Sequence, residues 1–226
     1  MQVTNNMKNI AIIPIRENSK RFPGKNFFTI GNDPLYGLVA KVALKSKVFD
    51  SVFVGVENPE LINDYCNDNG ISLYKRSNES ANDNAQTEEV LLEFIKSEML
   101  HDSDWVTIIQ ATCPFQSVEY FQKLDLEIKK NKYNSIITRT KFNRFFIDEV
   151  IAPDFIRSRT QDIEEKYLET GLFWSFNVKS FLEVNNRVIN PVGFVDIKPG
   201  DDSDIDFRND LDLILSRLKK EFSEAK

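Results

Sequence analysis

Arg16, Lys20, Arg21 and Lys25 fall in one short loop, "IRENSKRFPGKN", while Asp204 and Asp206 stand two apart in "DSDIDFRNDL", far along the chain. Guanidinium and ammonium groups in a turn containing Ser, Pro and Gly, where backbone N–H groups add donors, suit a polyphosphate. The carboxylates suit a hard cation. In an extended segment Asp204 and Asp206 project to one side while Ile205 packs inward, and Mg²⁺ takes one or two carboxylates together with phosphate oxygens and water. The two stretches are complementary parts of a phosphoryl or nucleotidyl transfer centre. Each also has a plainer reading alone. The loop reads as a solvated basic surface, and Asp201, Asp202, Asp204, Asp206 and Asp210 ahead of a helix are what its dipole favours. Neither G-x-G-x-x-G nor G-x-x-x-x-G-K-[ST] is present, so dinucleotide and P-loop binding are not indicated.

Two more polar stretches follow apolar runs. "RSNESANDNAQT", from Arg76 to Thr87, offers amides and a carboxylate that suit a nucleobase, or simply turn formation. "IIQATCPFQ" places Gln110 at a strand end, as a two-way hydrogen-bonder toward substrate or as a cap for the next turn. Cys113 has no basic partner in sequence and reads as a packed thiol. Cys66 and Cys113 lack the spacing of a zinc site or a disulfide framework. His101 is the single histidine, which nearly excludes histidine-based chemistry.

The elements that must position these groups alternate along the chain. Strands are predicted near 9–15, 51–56, 72–75, 105–110 and 135–140, separated by amphipathic helices, the pattern of an α/β protein with a mostly parallel sheet flanked by helices. Asp33-Pro34 and Asn58-Pro59 read as a cap with a first-turn proline; Thr87 and Ser117 read as helix openings, and Gly70 as a terminator. Between 141 and 190 the rhythm breaks among Phe142, Phe145, Phe146, Phe155, Phe173, Trp174 and Phe176, which reads as an insertion whose apolar surface needs a partner. "VGFVDIKP" is a returning strand. The closing helix is apolar at Leu211, Leu213, Ile214, Leu215 and Leu218. The whole is one domain, 1–226, carrying that insertion.

Composition is that of an ordinary globular chain: 226 residues, 41% apolar and 28% charged. The net charge of −6 argues against a general grip on nucleic acid, so any basic site is local. No apolar run is long enough for a membrane span and no signal-peptide core is evident, so the chain reads as cytoplasmic.

In order, these stretches resemble the acylneuraminate cytidylyltransferase family. "IRENSKRFPGKN" is similar to the family's "ARxxSKxxPxKN", with Arg16, Ser19, Lys20, Pro23, Lys25 and Asn26 in place. "RSNESANDNAQT" matches "RPxELAsDtAss" at Arg76, Glu79, Ala81, Asp83 and Ala85; "QATCPFQ" stands for "QPTSPLR" and "DIDFRNDL" for "DIDxxxDL". "RSRTQDIEEKYLETGLFW" is similar to the "RxQDLPxxYxxxGxFYW" run of pseudaminic acid cytidylyltransferases. Three positions depart, Gln116 for Arg, Thr170 for Asn, and "VEN" at 56–58 for "STD", and all are expected near the sugar side. The resemblance implies a Rossmann-like nucleotide-diphospho-sugar transferase fold, with 141–190 as a dimerisation arm of a homodimer. It implies CMP transfer from CTP to a nine-carbon ulosonic acid, with Arg16 and Lys25 on the triphosphate aided by Ser19 and Asn26. Arg76, Asn82 and Asp83 then line the cytosine pocket, and Asp204 and Asp206 hold Mg²⁺. Gln110 and Thr170 fall to the sugar, with Arg157, Arg159 or Gln161 for its carboxylate. Arg21, which the family pattern does not require, is expected to face solvent. Alternatives are a synthetase for Kdo-type sugars and a non-catalytic nucleotide-binding protein of the same fold.

Overall fold

The computed structural model describes residues 7–82, 85–162 and 164–224. In chain order the elements begin with β1 (Asn9–Pro14), the short hairpin strands β2 (Thr29–Ile30) and β3 (Asp33–Pro34), α1 (Leu35–Ser46) and β4 (Ser51–Val56). Next come α2 (Asn63–Asp68), β5 (Ser72–Lys75), α3 (Asn78–Ala81), α4 (Thr87–Ser97), β6 (Trp105–Ile109) and α5 (Val118–Lys129). The remainder comprises β7 (Ser135–Phe142), α6 (Ile147–Val150), β8 (Lys166–Asn177), α7 (Val178–Val184), β9 (Val192–Asp196) and α8 (Arg208–Glu224).

Seven strands form one sheet in the order β5-β4-β1-β6-β8-β7-β9. The pairs β4·β5, β1·β4, β1·β6 and β7·β9 are parallel, and β8 runs antiparallel between β6 and β7. β1 is buried on both faces, as a parallel strand between two helical layers must be, which is why "IAIIP" after Asn9 reads as an unbroken apolar run. From β1 the chain moves outward to β4 and β5, then crosses back to β6 on the other side. That reversal opens a crevice at the carboxyl ends of β1 and β6, the usual ligand position in such sheets.

The five predicted strands form within two residues of their expected ends. Ser117 caps α5, accepting from Tyr120 N at 3.2 Å, and Gly70 ends the α2 segment at φ 67°. Asp33-Pro34 departs from expectation. Pairing with Thr29 and Ile30 keeps both residues extended, and the Asp33 carboxylate, instead of capping α1, accepts from Tyr65 Oη at 2.7 Å and from Lys41. After Asn58-Pro59 a single 3₁₀ turn, Pro59–Leu61, precedes α2. In α8, Leu211 and Ile214 are buried, while Leu213, expected on the apolar face, is 74% exposed.

The largest difference lies within 141–190. β8 takes twelve of those residues into the middle of the sheet, and Phe173, Trp174 and Phe176 are buried in the chain's own core. Gly171, at φ 66°, and the polar first half of "KYLETGLFWSFN" interrupt the alternation that marks a strand. The most exposed apolar side chains of the segment, Ile147, Ile151 and Ile156, lie in and around α6, with Tyr167, Leu182, Val184 and Val188 less exposed elsewhere in it. Among the described residues no helix is long and apolar enough to cross a membrane.

Candidate active site

A cleft of about 720 Å³ opens over the crevice, and Arg16, Ser19, Lys25, Asn26, Arg76, Gln110, Asp204 and Asp206 all line it. The basic loop reaches it by a defined path. Ile15 N extends the β1 pairing to Gly55 O at 2.8 Å, and Glu57 Oε2 accepts from Glu17 N at 3.3 Å, so the departing "VEN" segment holds the loop's start. At the far end Gly24 adopts φ 72°, a left-handed turn that only glycine takes without strain, and launches a 3₁₀ turn, Lys25–Phe27. Asn26, buried, donates from Nδ2 to Arg16 O at 3.1 Å and so ties the two ends of the loop together.

The acidic strap 199–206 approaches from the other side. Ile205 is fully buried, and its N–H donates to Thr112 O at 2.9 Å. The five aspartates divide their tasks. Asp201 receives Tyr120 Oη and pairs with Arg217, fastening the strap to α5 and α8. Asp210 reaches back to accept from Asp206 N at 2.9 Å and Phe207 N at 2.7 Å, and these N–H groups hold its carboxyl below the usual range. Asp204 and Asp206 remain on the cleft side. Phe22 of the basic loop and Ile205 of the strap share one small apolar cluster with Leu35, Phe115, Leu211 and Ile214, which sets the two charged segments face to face.

They meet at Asp206. Lys25 Nζ donates to Ile205 O at 2.9 Å and to Asp206 Oδ1 at 3.2 Å. Arg21, expected in solvent, grips the same carboxylate two-handed, Nη1 to Oδ2 at 2.8 Å and Nη2 to Oδ1 at 2.7 Å, although its side chain is 56% exposed. The bidentate fork fixes the orientation of the carboxylate.

Arg76 lies beneath the loop with only 3% exposure, donating to Ile15 O at 2.7 Å and to Ser80 O. Burial lowers its pKa; Glu57 opposes the shift and Arg16 adds to it. It thus binds the end of β1 to the turn of α3. Asn82 closes that turn, its N–H donating to Glu79 O at 3.2 Å, and is not among the cleft-lining residues. Asp83 lies outside the described residues.

Gln110 stands at the end of β6, its N–H on Leu172 O at 3.1 Å and its Oε1 taking Thr112 Oγ1 at 3.4 Å. Thr170 is adjacent to Gly171 in β8, with Oγ1 buried and unpartnered among the described residues. Gln116, expected toward the sugar, is instead buried, donating to Leu172 O at 3.0 Å and lining a separate hollow beside Arg217. Arg157 lies over the Phe145 and Phe155 rings, and Arg159 and Gln161 fall in or beside a 3₁₀ turn; none of the three lines the cleft of its own chain. Cys113 is buried, and burial, with Asp204 and Asp202 nearby, pushes its thiol far up, so it is no nucleophile. Thr87 and Trp174 end two of the motifs but were given no site role, and Arg187, also in the wall, carried no motif to mark it.

Known proteins are similar to this chain in sequence and fold. A family profile described as cytidylyltransferase matches residues 10–189. The N-acylneuraminate cytidylyltransferase of Streptococcus agalactiae serotype V is 25% identical over 226 residues, covering 94% of this chain and 54% of the relative; the chain spans about half the length of that relative. The pseudaminic acid cytidylyltransferase of Campylobacter jejuni serotype O:23/36 is 25% identical, covering 91% of this chain and 94% of the relative. Among solved structures, a CMP:2-keto-3-deoxy-manno-octonic acid synthetase complexed with CTP superposes with a TM-score of 0.69 at 13% identity, covering 95% of this chain and 99% of the other. The 4-diphosphocytidyl-2C-methyl-D-erythritol synthase of Anaerococcus prevotii gives 0.67 at 16% identity, covering 94% and 99%. Those likenesses identify the fold as that of nucleotidyltransferases. With a profile match running from β1 to the loop ahead of β9, this chain belongs to the cytidylyltransferase family.

Proposed function

We propose that this protein transfers CMP from CTP to the anomeric hydroxyl of a nine-carbon ulosonic acid of the sialic, pseudaminic or legionaminic type. The anomeric oxygen attacks the α-phosphorus, the bond to the bridging oxygen breaks, pyrophosphate leaves, and the hydroxyl proton goes to solvent. The observation that carries this reading is the contact of Arg21 and Lys25 with Asp206 at the cleft mouth, a cationic clamp already set against a carboxylate. An incoming triphosphate competes with Asp206 for these two cations, and Arg16 and Ser19 extend the same wall. Arg76 acts from below by holding the backbone that the nucleotide meets. Gln110 orients the sugar.

The residues present fit Mg²⁺, since Asp204 and Asp206 are hard oxygen donors on one side of a strap pinned by Ile205. When bound, the ion neutralises triphosphate charge and polarises the α-phosphate. The donor of the CMP group being CTP, a cytoplasmic location goes with the reading.

Incubation with CTP or UTP and pseudaminic, legionaminic or N-acetylneuraminic acid tests it. Pyrophosphate release with CTP and one acid, and a product of CMP-sugar mass, is expected; equal release with UTP, or no CMP-sugar from any acid, refutes it.

We also assign a homodimer contact to the segment around α6, on the ground that Ile147, Ile151 and Ile156 are 71%, 70% and 88% exposed. Sedimentation velocity is expected to give a dimer that I147D/I151D converts to monomer. A parent protein sedimenting as monomer at tens of micromolar sinks the assignment.

A further inference from the structure

The cleft runs across the strand ends from one face of the sheet to the other. At one end Phe22 and Ile205 sit in the cluster built with α1 and α8, and carry the phosphate-type cations and the aspartates. At the other, Trp174 belongs to the cluster under α4 and α7, and there the wall holds one more cation, Arg187.

Arg187 is held on two sides. Its Nη1 donates to Glu88 Oε1 at 2.5 Å, in the first turn of α4, and its guanidinium stacks over the Trp174 ring at 4.8 Å from the centroid. Nε is buried with no acceptor among the described residues. Glu88 and Trp174 stand on a helix and a strand, so the guanidinium is preorganised and its charge has a fixed address in the cleft wall. Glu88 takes one of the guanidinium's five donors, and the side chain stays 27% exposed in the cleft wall, so a stacked arginine with donors left over on its accessible edge suits a planar anion. The triphosphate has its own cations at the opposite end, which leaves the acceptor as the anion for this one.

We infer that Arg187 takes the C1 carboxylate of the acceptor sugar, from the same chain whose cations take CTP. The inference rests on the ulosonic acid reading above and assigns to the cleft wall a task for which Arg157, Arg159 or Gln161 was expected. In such a sugar the carboxylate is attached to the anomeric carbon itself. An arginine that holds it therefore fixes the attacking hydroxyl toward the α-phosphorus, which is positioning as much as affinity.

The test compares an accepted ulosonic acid with its neutral C1 carboxamide in the parent protein, Arg187→Met and Arg187→Lys. The parent is expected to prefer the acid by about ten- to a hundredfold in kcat/KM, the range of a hydrogen bond to a charged group. Arg187→Met should raise KM for the acid by a similar factor and abolish the preference over the amide. Arg187→Lys, which keeps the charge but not the fork, should retain part of it. KM for CTP and the melting temperature should stay those of the parent in the lysine variant. An undiminished acid preference in Arg187→Met or in Arg187→Lys overturns the assignment. A parent protein that makes no CMP-sugar from any ulosonic acid instead refutes the functional reading, and the Arg187 role with it.

Discussion

Lys25→Ala is expected to lower kcat/KM for CTP by about a hundred- to a thousandfold, or about 2.7–4 kcal/mol, the loss that follows removal of one preorganised donor from developing anionic charge. The size rests on position. Lys25 has only 12% of its side chain exposed, Gly24 fixes its approach, and Asp206 and the Ile205 carbonyl hold the ammonium at the cleft mouth. A surface lysine reorganises as charge develops; this one is already aimed. The same substitution unties the strap from the loop, so the melting temperature must be measured beside turnover. Lost activity with a parent-like melt supports the clamp. Unchanged turnover with CTP refutes it, whatever the melt.

Asp206→Asn is the second large effect, and it has opposite signs for two ligands. The amide keeps the shape but gives up the charge that Mg²⁺ needs. Loss of an outer-shell partner alone typically costs ten- to a hundredfold in metal affinity, so loss of a direct carboxylate ligand should raise the magnesium half-saturation by about a hundredfold or more. Without magnesium the result reverses. Arg21 and Lys25 no longer have an ionised partner, so the triphosphate faces less competition for them, and metal-free CTP binds more tightly than to the parent. Calorimetric titration of CTP in chelator, together with a magnesium titration of turnover, reads both. A magnesium titration matching the parent's removes Asp206 as a ligand.

Much of the architecture was legible because its signals are local. Runs such as "NIAIIP" and "SVFVGV" announce buried strands wherever the rest of the chain lies, and Ser117 announces its helix by one side chain. β8 was not legible: its burial depends on β6 and β7 flanking it, and Gly171 breaks the pattern. In the site, Asp204 and Asp206 could be read from the parity of an extended segment around Ile205. Arg21 could not, because whether it meets water or Asp206 is decided by a strap at the other end of the sequence. Phe22 is a similar case, an aromatic in a basic loop whose cluster draws Ile205, Leu211 and Ile214 from the far side of the sequence. Arg187, in "NNRVIN", has no spacing to mark it; its place in the cleft wall is visible only once Glu88 and Trp174 are beside it.

The hydrogen bond from Lys25 to Ile205 O spans 180 residues of chain. Contacts of such separation form late, since loop-closure entropy must be met before they contribute anything. The cations precede the carboxylates by 180 residues, so a nascent or half-folded chain carries a basic loop without its counterpart. The proposed nucleotide site is therefore complete only once these two distant segments have met, and the site acts as its own certificate of assembly.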